Sequence, residues 1–137
     1  DNPTVWCAAQ TLAFPVNEIM GQMMLMLHPE SREGRVEPFA EVTAQQNLLH
    51  LGDAQCLTIP GEALPNLGYY LKRNMRGRHN LLFGLTNDAF GYILAPYDYN
   101  SFSVYEYISA TCLHESMGEI LVRDSLEFIP KSPRQTC

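Results

Sequence analysis

The chain has 137 residues, 46% of them hydrophobic, and a net charge of −6 with a pI near 5.1. That is enough apolar material for one core, so residues 1–137 are expected to form a single folded unit. The acidic balance argues against a nucleic-acid partner, which selects a basic face. No run of about 18 apolar residues is present, so no transmembrane segment is expected. Asp1-Asn2-Pro3-Thr4 has neither the basic start nor the apolar stretch of a signal peptide. With no initiator Met, the chain is expected to be a processed or proteolytic piece.

The lead-in, residues 1–15, carries a strand, since Thr4 to Phe14 alternates loosely. Val16, Ile19, Met20, Met23, Met24 and Leu27 then fall on one helical face, with Asn17 as a cap and Pro29 as the stop. The periodic methionines read as core packing rather than as an adaptable binding surface. A polar loop over 29–38 leads to a strand from Phe39 to Gln45. Leu48 to Leu51 and Ala54 to Ile59 flank Gly52-Asp53, a tight-turn signal between two strands. Pro60-Gly61 breaks the second of these. The next helix places Leu64, Leu67, Tyr70, Leu71 and Met75 on one face, with Pro65 in its first turn and Gly77 as its stop. Asn80 to Leu85 is a nearly continuous apolar run, the pattern of a strand covered on both faces. An aromatic loop spans 86–107, an amphipathic helix runs from Met117 to Phe128, and residues 129–137 form a polar tail. Alternating strands and helices predict an α/β fold, with mixed α+β as the alternative.

Two segments carry candidate chemistry. Glu62 stands between a strand and a helix start, where a carboxylate gains from the helix dipole and nearby amides. Gly61 before it permits a sharp turn. Tyr92 follows Gly91 on the exit of the apolar strand, and its phenol becomes a metal ligand only where a cation such as zinc stabilises the phenolate. Asn87 and Asp88 suit either a ligand-orienting role or the capping of a turn. His28, His50, His79 and His114 show no ligand spacing. Neither a phosphate-binding Gly-rich loop nor a Gly-x-Ser-x-Gly elbow is present. Cys7, Cys56 and Cys112 read equally as buried thiols or as disulfide partners, while Cys137, ending a polar tail, suits a bridge to another chain. Disulfides would imply a secreted or periplasmic setting.

Pro60-Gly61-Glu62 after the strand Cys56 to Ile59 resembles the Pro-Gly-Glu segment of neutral and alkaline ceramidases. Leu67-Gly68-Tyr69-Tyr70-Leu71-Lys72-Arg73 keeps the outline of the helix that follows it in that family. Gly84-Leu85-Thr86-Asn87 through Tyr92-Ile93 is similar to the family's Gly-Leu-x-Asn segment ending in Tyr, and Tyr99 and Tyr105-Glu106 follow in order. The resemblance covers about residues 12–128, and its specific part is 57–106. It implies the carboxyl-terminal half of a ceramidase-like catalytic domain, in which zinc is held by two His, one Glu and one Tyr. Glu62 and Tyr92 match the last two, with Asn87, Asp88 and Tyr99 in the pocket or behind the ligands. No catalytic residue beyond these ligands is assigned. The two His lie in an earlier part of that domain, and no segment here resembles them. Ala63-Leu64-Pro65 replaces the usual Phe-Thr-Thr and resembles the uncharacterised ceramidase-like branch. The resemblance implies zinc-dependent hydrolysis of the amide of a ceramide-like lipid by a protein that is secreted, periplasmic or at the extracellular membrane surface. The alternative is a non-catalytic ceramidase-like scaffold that binds a lipid or protein partner. Partners implied are the amide lipid and either the remainder of the parent or a chain bridged through Cys137.

Overall fold

The computed structural model describes residues 5–27 and 39–133. Its main sheet has four strands in the order β1 (Val5–Pro15), β2 (Glu41–Leu51), β3 (Ala54–Thr58) and β5 (His79–Phe83). The first two pairings are antiparallel and the last, β3 with β5, is parallel. A two-stranded parallel sheet joins β4 (Glu62–Ala63) to β6 (Tyr92–Ile93). The helices are α1 (Glu18–Leu27), α2 (Pro65–Asn74), α3 (Glu106–Ala110) and α4 (Met117–Phe128). The expected mixture of strands and helices is therefore present, and among the described residues no helix is long and apolar enough to cross a membrane.

One face of the sheet is packed by α2 and α4. Leu12, Phe14, Leu48 and Leu57 point into that layer and meet Leu71, Met117 and Leu121, all fully buried. A polar ladder runs through the same layer. Gln10 donates from Nε2 to Gln46 Oε1 at 2.9 Å, and Gln46 donates to Ser125 Oγ on α4 at 2.9 Å. These bonds let two glutamines occupy a buried face without an orphaned amide. They also explain why β2 is one strand rather than the two expected on either side of Gln46 and Asn47. Gln46 is satisfied beneath α4, and the Asn47 backbone N–H donates to Thr58 Oγ1 at 2.8 Å.

Register fixes what lies on the opposite face. Cys7, Leu49, Cys56 and Leu81 stand side by side across the four strands. Val5, Leu51, Ala54 and His79 form the row before them. Beyond them, Ala9 stands beside Asn47 and Thr58 beside Phe83. No described helix packs this face as α2 and α4 pack the other, and Leu81 and Phe83 are about half exposed. The expectation that 80–85 forms a strand covered on both faces is corrected accordingly. It is an edge strand with alternating exposure, half-buried on the helix side and exposed on the other.

Of the two readings left open for the cysteines, the free thiol is the one present. Cys7, Cys56 and Cys112 are free thiols, Cys7 exposed and the other two buried. Cys7 and Cys56 flank Leu49 from strands two apart, roughly 9–10 Å, beyond the reach of a disulfide. Cys137 and His28 lie outside the described residues, as does the expected stop at Pro29. The α1 cap is as expected, with Asn17 Oδ1 accepting the Met20 N–H at 2.9 Å.

Candidate functional site

The parallel strands β3 and β5 end together, at Thr58 and Phe83. The segments that leave them are laced into one layer by main-chain hydrogen bonds. Ile59 N–H donates to Phe83 O at 2.8 Å, Thr86 N–H to Ile59 O at 3.1 Å, and Leu85 N–H to Gly61 O at 3.1 Å. From the other side, Phe90 N–H donates to Pro60 O at 3.0 Å, and Glu62 N–H to Gly91 O at 2.9 Å. Leu64 N–H then reaches Ile93 O at 3.0 Å. The outcome is a parallel bridge with Glu62 directly opposite Tyr92 and Ala63 opposite Ile93. Partners in such a bridge share a face at a strand spacing of about 4.8 Å. The structure thus places the two residues singled out in the sequence opposite each other on neighbouring strands, past the carboxyl ends of parallel strands, where α/β folds hold ligands.

Two glycines make this approach possible. A Cβ on Gly61 would lie 2.7 Å from Gly91 O and 3.0 Å from Ile93 Cδ1. Gly91 has φ +78, and a Cβ there would clash with Thr111 O. The expected sharp turn at Gly61 is therefore a requirement for close approach, whereas the left-handed conformation belongs to Gly91. Leu85 and Asn87 also sit at positive φ, 51 and 71, so the loop after β5 holds backbone strain beside the pair.

The remaining residues singled out have separate positions. Asn87 donates from Nδ2 to Gln45 O at 2.8 Å and so ties the loop back to β2. Asp88 Oδ1 accepts the Ala89 N–H at 2.8 Å, closing the turn. Tyr99 packs against the core beside Cys112 and Glu115. Burial raises its phenol above the ordinary range, and the nearby Cys112 and Glu115 add to the shift. Tyr107 was not singled out. Its ring meets Tyr92 edge-to-face with centroids 6.2 Å apart and an interplanar angle of 72°. The signal was the run of tyrosines, but only α3 placing residue 107 over residue 92 selects it. Phe90 anchors the loop in the same manner, edge-on to Phe14 at 6.3 Å.

Neither Glu62 nor Tyr92 lines either of two grooves in the described structure. One, of about 560 Å³, is lined by Leu64, Pro65, Asn66, Val104, Tyr105 and Ile108 among others, immediately after Glu62 in the chain. A second, of about 650 Å³, lies between α2 and α4, with Tyr69, Tyr70, Tyr97 and Arg73 on its walls. The described histidines are occupied elsewhere or outside the pair. His50 is buried with Nδ1 2.7 Å from Ser132 Oγ, His114 Nδ1 lies 2.8 Å from Ser116 Oγ, and His79 is exposed on β5. Among the described residues no three His, Cys, Asp or Glu side chains are grouped as a metal site. Among the described residues, then, Glu62 and Tyr92 are joined by no third such side chain.

No family model matches this sequence, nor does any curated protein. Among solved structures, the neutral ceramidase from Pseudomonas aeruginosa superposes with a TM-score of 0.51 at 17% identity over 69% of this chain. A ceramidase complexed with C2 aligns over the same share at 17% identity with a TM-score of 0.48, too low to carry weight. The aligned region is 16% of each of those chains, so this chain spans a minor part of their length. At that identity the comparison is one of fold, and this chain has a distant ceramidase-like fold.

Proposed function

We propose that this chain is part of a zinc-dependent amide hydrolase of the ceramidase-like type, to which it contributes Glu62 and Tyr92 as metal ligands. The observation that carries the reading is the Glu62–Tyr92 bridge at the ends of two parallel strands, within a fold similar to that of a neutral ceramidase. The two histidines such a site needs are assigned to polypeptide outside this sequence. A zinc held there supplies Lewis-acid polarisation of the amide carbonyl and lowers the pKa of water to near 7. The chain's own residues set the geometry. Gly61 and Gly91 hold the two ligand-bearing strands at bonding distance, and Tyr107 fixes the plane of the Tyr92 ring. Asn87 and Asp88 shape the loop between β5 and β6. The groove of Leu64, Val104, Tyr105 and Ile108 presents apolar walls next to Glu62, which suits an alkyl chain of a ceramide-like amide. A secreted, periplasmic or outer-surface setting follows from the same reading.

The second reading, a non-catalytic scaffold, is favoured by one observation, the lack of a three-donor metal group among the described residues. Amidase turnover by the intact parent separates the two. The first reading expects hydrolysis of a ceramide-like amide that falls at least about 100-fold in Glu62→Gln, as for loss of a metal ligand. A Glu62→Gln protein with full activity would overturn it, and an intact parent with no turnover and no zinc would establish the scaffold.

A further inference from the structure

Helices α2 and α4 run side by side in the same direction. At their starts, Leu64 N–H donates to Ile93 O at 3.0 Å, and Gly118 sits so close to Leu94 O that an added Cβ would clash with it. At their far ends, Arg76 Nη1 donates to Pro130 O at 3.1 Å. The groove of about 650 Å³ between them is tied across at its starting end, where Asn66 Nδ2 donates to Tyr97 Oη at 3.3 Å and to Asp98 Oδ2 at 2.7 Å. Leu67 and Ala95, almost fully buried, and the half-buried Val122 give it an apolar base. Tyr69, Tyr70 and Tyr97 form its walls and stay 65%, 48% and 73% exposed.

Arg73 and Arg123 line the same groove. They lie about 12 and 9 Å along α2 and α4 from the helix starts, so the two residues stand at a similar depth. Among the described residues Arg73 makes no ion pair and no side-chain hydrogen bond. Arg123 donates from Nε to Asp124 Oδ1 at 2.7 Å, which leaves its terminal nitrogens available. Glu119 is the single carboxylate among the lining residues, so the groove is locally cationic in a chain of net charge −6. Guanidinium forks match carboxylate and phosphate oxygens, and an apolar pocket with a few convergent polar groups is the usual form of a small-molecule site. We propose that this groove binds an amphiphilic anion, its apolar body against Leu67, Val122 and the tyrosines and its carboxylate or phosphate head on Arg73 and Arg123. Neither Glu62 nor Tyr92 belongs to it, so the inference goes beyond the metal reading and does not rest on it.

Titration calorimetry of the full 137-residue chain, below micelle-forming concentrations, tests this with probes that share a decyl chain. They are decanoate, decyl phosphate, uncharged decyl maltoside and decyltrimethylammonium. With a net charge of −6, unspecific attraction favours the cationic probe, so the sign of the preference is diagnostic. The expected result is one site per chain that binds the better anion at least tenfold more tightly than the uncharged and cationic probes. Whichever anion leads identifies the head group. The double variant Arg73→Gln/Arg123→Gln is expected to abolish that preference. Arg78→Gln, which removes a cation facing Asp53 outside the groove, is expected to leave it intact. Equal affinity for all probes, a cationic preference, or an anion preference that survives the double variant would overturn the proposal. So would an equal fall in Arg78→Gln, or inorganic phosphate binding as tightly as decyl phosphate, since the groove itself would then contribute nothing.

Discussion

The two faces of the main sheet share one register and meet opposite surroundings. On the helix side Gln46 is fully buried, because Gln10 and Ser125 satisfy its amide. On the other side, Leu81 and Phe83 remain half exposed beside Cys56 and Thr58. Burial in this chain is therefore decided by what the sheet has been given to pack against, and hydrophobicity alone does not locate the core. Local composition predicts that a run is apolar. The presence of a second layer determines whether it is buried.

Paired truncations sharpen that contrast most strongly. Leu57→Ala, on the helix side, is expected to lose about 3–5 kcal/mol of stability in chemical denaturation, as a fully buried leucine does. Phe83→Ala, on the open side, should lose no more than about 1 kcal/mol in this chain, because exposed substitutions are mild. Comparable losses would break the distinction between the faces. Gly91→Ala comes next. Its φ of +78 and the clash an added Cβ would make with Thr111 O predict a loss of about 2–3 kcal/mol. A smaller loss from Gly52→Ala is expected, since φ is +57 there but no atom lies within 4 Å.

The smallest effect is alkaline. Burial raises the thiols of Cys56 and Cys112 and the phenol of Tyr99 above their ordinary ranges. Raised groups of this kind stabilise the fold fully below their unfolded pKa and lose that contribution as pH rises toward the folded value. The urea midpoint is thus expected to be flat near neutrality and to fall above about pH 8.5, where free thiols begin to ionise. A midpoint that rises over that range would contradict the burial of these groups.

Much of this was legible in the sequence. The last helix, Met117–Phe128, lies where its apolar spacing placed it, and Asn17 caps α1 as its residue type suggested. The family resemblance put Glu62 and Tyr92 at one site, but the residues' own pattern did not show the parallel bridge between them. Thirty residues separate them, and the register depends on glycines whose missing Cβ atoms matter only once the strands meet. The run at 80–85 misled for the opposite reason, because an apolar segment reads as buried whether or not its cover is present. Tyr107 was hidden among neighbouring tyrosines, which only the path of α3 distinguishes.

Zinc content of the purified intact protein, by elemental mass spectrometry beside intact mass, tests the central claim most directly. The account predicts about one zinc per molecule, lost in both Glu62→Gln and Tyr92→Phe while the fold persists. Zinc retained in full by both variants, or absent from the active parent, would contradict it.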